Sequence, residues 1–448
     1  MVRKKLKKVL HNIVVVGFIT FFVKCFGAFK EIVTASSFGT GDVLDAFLIA
    51  FLVPSFVINV LAGTFQTAII PTYIDFLENR GENDANKLIS TSLLFCFLLL
   101  LAVSLILGIF ASSFLSIVGP GLKNTNFILG TNLFRLVSPV IIFFGLRHFF
   151  EAIMNAKGYF AITSIVPVAT PITVVFSLLL RADSWGIYAL VFGVVLGSLL
   201  ELIIVVLVAM IKKIPIFPKW HGISPEMHKI FNQYIPMVMG ACLMSGTGLV
   251  DQSMASLLGP GSVSILSYAN KVTAMVLSVG AMGLGTVVLP YFSRLVANGG
   301  WGELQQNLIK SIWIIIGVTI PLTALFCFFS SSIIGFLFER GAFSAQDTLI
   351  VSKVQMYYFL QLPSYTLGIL GSRLISSMGR NDILMKISCL SLLLNILFNY
   401  LFMNWFGVSG IAMSTSFVYL FSTMAILGFL YGKIRLFNAQ EIEKGLIP

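Results

Sequence analysis

Charge is scarce in this sequence. Asp, Glu, Lys and Arg together supply 10% of the 448 residues, whereas hydrophobic residues supply 57%. A soluble protein of this length needs far more charge to cover its surface. The composition therefore excludes a water-soluble globular fold.

Cysteine and histidine are also few. The five cysteines lie in apolar segments and form no Cys-x-x-Cys pair, so they imply no disulfide or metal framework. The four histidines are scattered, and no P-loop, Gly-x-Ser-x-Gly or His-Glu-x-x-His motif is present. These absences argue against an enzyme and against a resident cofactor. A membrane glycan ligase or other assembly partner without a clear motif stays an alternative.

Long apolar segments recur along the whole chain. We count twelve, and several exceed the roughly 20 residues that cross a bilayer, which predicts tilt or extension beyond the hydrocarbon. They centre near residues 10–37, 43–75, 88–117, 127–156, 159–180, 186–211, 228–257, 262–293, 306–337, 346–377, 383–404 and 407–432. The sequence predicts an all-α polytopic membrane protein with twelve transmembrane helices.

The formal net charge of +11 is unevenly distributed. Most basic residues outside the spans, including the runs 3–8 and 212–229, fall on one side of the predicted membrane, and the other side holds only Lys123, Arg181 and Arg340. This asymmetry, together with the even number of spans, predicts that both termini lie in the cytoplasm. Lys24 interrupts the first apolar run and no cleavage site follows it, which predicts an uncleaved first span. Because the charge sets topology, we expect no nucleic-acid partner.

The chain repeats itself at a nearly constant offset, close to half its length. The matching pairs are FGTGDV (38–43) with LGPGSV (258–263), IIPTY (69–73) with VLPYF (288–292), NRGE (79–82) with NGGW (298–301), and WGI (185–187) with FGV (406–408). Six spans is an even number, so both copies enter the membrane in the same direction. The predicted domains are an N-terminal six-helix lobe (1–211), a cytoplasmic linker (212–227), a C-terminal six-helix lobe (228–433) and a cytoplasmic tail (434–448).

Three ionisable residues, Lys24, Lys30 and Glu31, lie inside the first span. A charge at membrane depth costs about 3 kcal/mol or more, so such residues normally face a cavity or a partner. Lys24 and Glu31 are two helical turns apart and share a face, whereas Lys30 is predicted to point about 100° away from Glu31. With Asp45 in span 2 and Lys271 in span 8, they predict a cationic cavity for an anionic substrate. The alternative is that Lys24 pairs with Glu31 for packing while Lys30 snorkels.

Two further polar sets lie within spans. Arg147, His148 and Glu151 cluster in span 4, where Arg147 and Glu151 are spaced to pair.

The other set combines one acid with neutral oxygens from three spans: Asp251 in span 7, Asn395 and Asn399 in span 11, and Ser414 and Thr415 in span 12. That set suits a Na⁺ or proton coupling site, and ordinary interhelical hydrogen bonding explains it equally well.

Residues 24–56 read KCFGAFKEIVTASSFGTGDVLDAFLIAFLVPSF. This segment resembles the R..GF.RD, FG.G...DAF and LPN patterns of the MurJ/MviN family of lipid II flippases. Further similar segments follow in family order: NAKGYFAITSIVPV (155–168), GSVSILSYANKV (261–272), GTVVLPYFSRL (285–295) and FERGAFSAQDT (338–348). The resemblance covers essentially all twelve spans.

The resemblance implies the multidrug/oligosaccharidyl-lipid/polysaccharide exporter fold. That fold is two six-helix lobes in a V around a cationic cavity, with alternating access driven by membrane potential or an ion. It places cavity arginines of the family on Lys24, Lys30 and Lys271, and cavity acids on Glu31 and Asp45. A sodium site is placed on Asp251, Asn395, Asn399, Ile411 and Thr415.

The sequence departs from the family in four respects. The cavity arginines are lysines, Ile58 and Asn59 replace paired arginines, and Asn399 replaces an acid. The chain also ends after span 12, where typical members have two more helices. These departures predict a divergent member that moves another polyprenyl-diphosphate-linked glycan, for capsule, exopolysaccharide or O-antigen.

The leading hypothesis is a flippase for a polyprenyl-diphosphate-linked glycan, either lipid II-like or a surface polysaccharide unit, with Na⁺ or H⁺ coupling. Expected partners are that substrate, membrane lipids and glycan synthesis or polymerisation machinery. A cation-coupled multidrug exporter of the same superfamily is the alternative. That exporter calls for an acidic cavity, whereas this predicted cavity is basic.

Overall fold

The computed structural model describes residues 2–222, 225–297 and 301–443, and every regular element within these ranges is helical. A π-helical turn (Ile58–Ala62) joins α2 to α3, and a 3₁₀ turn (Val166–Val168) joins α8 to α9. The α-helices are α1 Val2–Phe38, α2 Asp42–Val57, α3 Gly63–Arg80, α4 Glu82–Ile109, α5 Ala111–Val118, α6 Asn124–Val137, α7 Val140–Ala156, α8 Phe160–Ile165, α9 Ala169–Trp185, α10 Ile187–Ile211, α11 Pro225–Ser256, α12 Ser262–Ala297, α13 Trp301–Phe328, α14 Ser330–Phe338, α15 Ala345–Phe359, α16 Leu362–Ser377, α17 Asn381–Phe406 and α18 Val408–Glu443.

These helices form twelve segments within the described ranges, and each segment overlaps one predicted span. Six segments are single helices, and six are pairs joined with only a short break, such as α6 with α7. Among the described residues, eight segments are long and apolar enough to cross a membrane, by length and composition: Asp42–Arg80, Glu82–Ile109, Asn124–Ala156, Phe160–Trp185, Ile187–Ile211, Trp301–Phe328, Asn381–Phe406 and Val408–Arg435. The predicted all-α polytopic membrane fold is confirmed.

The internal repeat has a counterpart in the backbone. Gly186 has φ 54° and ψ −133°, and Gly407, at the matching position of the second half, has φ 58° and ψ −136°. Gly158 and Gly379 are related by the same offset along the chain, and both have positive φ, 85° and 70°. A residue with a Cβ rarely adopts this region, so these turns depend on glycine. The two halves therefore turn the chain in the same way at matching positions.

The chain divides into two compact units. The N-terminal unit comprises Met1–Ser245 and Arg340–Phe343, and the C-terminal unit comprises Gly246–Glu339 and Ser344–Pro448. The division falls inside α11, downstream of the predicted linker. Residues 223–224 of that linker, 298–300 of the repeat match NGGW and 444–448 of the predicted tail lie outside the described residues.

Large apolar side chains cover the outside of both units. Leu180 in the N-terminal unit is 74% exposed, and Phe328 and Phe336 in the C-terminal unit are each 81% exposed. A soluble protein rarely exposes contiguous apolar surface on this scale. Lipid contact is the environment that such a surface requires.

Helices α9 and α10 of the N-terminal unit pack with their backbones very close together. Gly193 and Gly197 form a Gly-x-x-x-Gly pair on α10. A Cβ on Gly193 would lie 2.6 Å from Cα of Val174, and one on Gly197 would lie 2.5 Å from Cα of Thr170. Small residues allow this approach between helices in a membrane. The contact also fixes where α10 places its single charged residue, Glu201.

Replacing Gly197 with alanine should lower the thermal unfolding midpoint of the purified protein. The added methyl group has no free space, and overpacking of this kind costs about 1–3 kcal/mol. Gly428→Ala is the matched control, because a Cβ there meets nothing within 4 Å. Equal midpoints for Gly197→Ala and the wild type would contradict the close packing of α9 on α10.

Candidate functional site

Helix α1 carries the first set of predicted site residues in an unbroken helix. Lys24 is exposed, whereas Lys30 and Glu31 are partly buried. Lys30 Nζ lies 2.6 Å from Glu31 Oε1. The prediction that Lys30 points away from Glu31 is therefore wrong, because the long lysine side chain bends back across the angle between the two positions. The pair places one positive and one negative group side by side on this helix.

Asp45 and Lys271 lie in different units. Asp45 is 3% exposed in the first turn of α2, a position where the helix dipole stabilises a negative charge. Lys271 is partly buried on α12, with Nζ 5.6 Å from the ring centroid of Tyr268. That Asp45 and Lys271 share one cavity with Lys24, Lys30 and Glu31 of α1 stays a prediction.

In the C-terminal unit, the structure brings together the polar residues predicted from three different spans. Asp251 Oδ1 accepts hydrogen bonds from Asn395 Nδ2 at 2.9 Å and Asn399 Nδ2 at 2.7 Å. Asp251 Oδ2 accepts from Thr415 Oγ1 at 3.0 Å, and Thr415 Oγ1 also lies 3.1 Å from the Ile411 carbonyl oxygen. Asp251 is 6% exposed, and both asparagines are fully buried. We call these five residues the Asp251 cluster.

The donor set of the Asp251 cluster fits a small monovalent cation. Sodium is a hard cation that takes oxygen ligands, as calcium and magnesium do, and the cluster offers one carboxylate, two amide oxygens, a hydroxyl and a carbonyl. Asn399 Oδ1 is buried without a hydrogen-bond partner. A 180° rotation of the Asn399 side-chain amide would point its oxygen, rather than its nitrogen, toward a cation bound beside Asp251. One formal negative charge among neutral oxygens balances one positive charge.

A second buried cluster lies in the N-terminal unit. Arg147 Nη1 is 3.2 Å from Glu151 Oε1 and 3.2 Å from Glu201 Oε2. Arg147 Nη2 is 2.9 Å from His148 Nε2, and His148 Nδ1 is 3.2 Å from Glu151 Oε2. Glu201 Oε1 also accepts a hydrogen bond from the Thr170 backbone N–H at 3.1 Å. The predicted pairing of Arg147 with Glu151 is confirmed.

Sequence reasoning missed Glu201. It lies on α10, three helices after the α7 residues that it contacts, so no local spacing links it to them. A signal was nevertheless present, since Glu201 is the only charged residue in the helix Ile187–Ile211. A lone acid inside an apolar span almost always faces a partner.

Replacing Arg147 with methionine should destabilise the N-terminal unit by about 3–5 kcal/mol, because it leaves two carboxylates buried without their cation. The measurement is the thermal unfolding midpoint in detergent. Arg135→Met is the matched control, since Arg135 is exposed on α6 of the same helical segment. A midpoint for Arg147→Met equal to that of Arg135→Met would show that the ion pairs contribute nothing.

A sequence model of one protein family, described as "Lipid II flippase MurJ", matches residues 34–446. The chain belongs to the MurJ family. It is 27% identical over 412 residues to the probable lipid II flippase MurJ of Buchnera aphidicola subsp. Acyrthosiphon pisum, covering 91% of this chain and 81% of that protein. It is also 27% identical to the probable lipid II flippase MurJ of Synechocystis sp., over 93% of this chain and 81% of that protein.

Solved structures agree with this family and fold. A structure of lipid II flippase MurJ in an inward closed conformation matches with a TM-score of 0.81 and 26% identity, covering 93% of this chain and 87% of that one. An inward-facing MATE family multidrug transporter matches with a TM-score of 0.81 but 13% identity, over 95% of this chain and 99% of that one. The second likeness shows the fold alone. The resemblance found in the sequence is thus confirmed, while the roles of individual site residues stay predictions.

Proposed function

We propose that this protein is a flippase that moves a polyprenyl-diphosphate-linked glycan across the bacterial cytoplasmic membrane by alternating access. Membership of the MurJ family over residues 34–446 carries the proposal. Curated relatives and a matching structure are named as lipid II flippases. The apolar helices and the exposed apolar surface fit a protein that works within the membrane.

In this proposal the substrate's diphosphate binds Lys24, Lys30 and Lys271. Lysine is a mobile point charge, which suits a phosphate that must be bound and then released. Glu31 lies 2.6 Å from Lys30 Nζ and competes with the diphosphate for it. That competition limits how tightly the headgroup is held and so favours release.

We further propose that the Asp251 cluster couples transport to a cation. A sodium ion bound in the cluster would neutralise the negative charge of Asp251. Asp251 carries the negative charge, while Asn395, Asn399, Thr415 and the Ile411 carbonyl supply neutral oxygens. Three different helices (α11, α17 and α18) contribute these groups, so binding would change how those helices are held together.

Complementation tests the substrate. A bacterium depleted of its own lipid II flippase should regain growth when this protein is expressed, if lipid II is the glycan carried. Continued lysis at a normal membrane level of the protein would exclude lipid II. Restored polysaccharide export in a capsule, exopolysaccharide or O-antigen flippase mutant would then identify the substrate as a lipid-linked polysaccharide repeat unit.

A further inference from the structure

We propose that Arg147, His148, Glu151 and Glu201 form a proton-binding site inside the N-terminal unit, separate from the Asp251 cluster. Together they place one arginine, one histidine and two carboxylates around a single guanidinium group. The side chains of Arg147, Glu151 and Glu201 are 8%, 7% and 2% exposed, respectively.

The contacts of His148 show that its ring is neutral. A guanidinium is always protonated and only donates hydrogen bonds. The Arg147 Nη2 group, 2.9 Å from His148 Nε2, must therefore donate to it, so Nε2 carries no proton. The ring proton lies on Nδ1, 3.2 Å from Glu151 Oε2.

With a neutral histidine, the cluster has one surplus negative charge when both acids are ionised. An unbalanced charge buried in a membrane protein is costly, and one proton on the two carboxylates removes it. Two carboxylate oxygens, Glu151 Oε1 and Glu201 Oε2, are buried near Arg147 Nη1 but make no directed hydrogen bond. A proton on either oxygen would turn it from an acceptor into an O–H donor and would remove the surplus charge. We therefore place the proton on one of these two acids.

The charged groups that act on Glu201 are Arg147 and Glu151, both from α7. Helix α9 contributes the Thr170 N–H. Helix α10 also packs against α2 and α6. The other charged residues of these helices are Asp42 and Asp45 on α2, Arg135 on α6, and Arg181 and Asp183 on α9.

Helix α7, which carries Glu151, also packs against α3 and α4. Their charged residues lie at the end of α3 and the start of α4: Asp75, Glu78, Arg80, Glu82, Asp84 and Lys87. Lys157, which follows α7, lies 3.0 Å from Glu82.

Arg181 and Asp183 lie where α9 leads into α10, whereas Glu201 lies beyond the middle of α10, about 20 Å along the helix from its start at the helical rise. His148 is the most exposed member of the cluster, with 26% of its side chain accessible. Its Nδ1 lies 3.2 Å from Glu151 Oε2, so in this proposal His148 is the member that passes a proton to the acids.

Infrared difference spectroscopy of the full-length protein in lipid vesicles tests the site directly. Acidifying the buffer from about pH 8 to about pH 5 should produce the carbonyl band of one buried carboxylic acid, because it supplies the proton that removes the surplus negative charge. That band should be lost in Glu201→Gln and in Glu151→Gln, which keep the side-chain shape. It should persist in Glu78→Gln, an exposed acid of the same unit, and in Asp45→Asn and Asp251→Asn, which remove two further buried acids.

A band that persists in both Glu201→Gln and Glu151→Gln, or a wild type without one, would overturn the proposal. If neither glutamine variant folds, His148→Gln replaces them and should slow appearance of the band severalfold. An unchanged rate would count against the route through His148.

A role for this site in driving transport rests on the proposed function. In proteoliposomes, a transmembrane pH gradient should change the wild-type flipping rate severalfold and should leave the Glu201→Gln rate unchanged. Retained gradient dependence in Glu201→Gln would refute the coupling. A wild type that flips no glycan would refute the proposed function, while the infrared band would still test the site.

Discussion

Replacing Lys30 with alanine should abolish glycan export while the protein reaches the membrane at its normal level. Lys30 is a partly buried cation on α1, paired with Glu31 at 2.6 Å. The alanine variant removes the charge that would bind the diphosphate and leaves Glu31 to repel it. Loss of one charge-assisted contact to phosphate is worth about 1.5–3 kcal/mol, or one to two orders of magnitude in binding. Export by cells that carry the variant as their only copy is the measurement.

Two controls separate the loss of charge from damage to the fold. Lys30→Arg keeps the positive charge and should retain most export. Lys87→Ala removes an exposed lysine that pairs with Asp84 at 2.9 Å outside the proposed cavity, and it should export normally. Lys271→Ala should behave as Lys30→Ala does. Normal export in both alanine variants would eliminate the cationic-cavity mechanism.

Replacing Asp251 with alanine should both destabilise the C-terminal unit and abolish ion dependence of transport. Asp251 accepts hydrogen bonds from Asn395, Asn399 and Thr415. Its removal leaves the buried amide groups of Asn395 and Asn399 without this acceptor, at a cost on the order of 3 kcal/mol, whereas Thr415 Oγ1 can still donate to the Ile411 carbonyl oxygen. The thermal unfolding midpoint and the response of transport to added Na⁺ measure the two effects.

Asp251→Asn separates these effects because it keeps the side-chain shape but loses the negative charge. This variant should unfold closer to the wild type than Asp251→Ala does and should still show no response to Na⁺. Asp382→Asn is the control, since Asp382 is an exposed acid of the same unit that binds Arg380 at 2.9 Å. Sodium dependence that survives in Asp251→Asn would rule out the Asp251 cluster as the coupling site.

The spans and the repeat could be predicted because they depend on local sequence. A membrane-spanning helix can be recognised from the length and apolar composition of its own sequence. Each of the twelve predicted spans overlaps a helical segment among the described residues. The turn glycines Gly186 and Gly407 are equally local, since the backbone needs positive φ there. Matching turns at a fixed offset then reveal the duplication.

The Asp251 cluster was within reach of sequence reasoning for a different reason. A buried acid in a membrane needs partners, and few polar residues in the neighbouring spans could serve. The orientation of Lys30 was not predictable, because helix geometry fixes where Cβ points and leaves four further bonds free to rotate. Glu201 was missed because its contact with Arg147 joins helices far apart in sequence.

Translocation of defined polyprenyl-diphosphate glycans by the purified protein in proteoliposomes tests the flippase activity most directly. Lipid II and longer repeat units are compared side by side, with Lys30→Ala as the inactive control. We expect at least one of these glycans to cross the membrane with the wild type and none to cross with Lys30→Ala. Failure of every polyprenyl-diphosphate glycan to cross, or equal crossing with Lys30→Ala, would contradict this expectation.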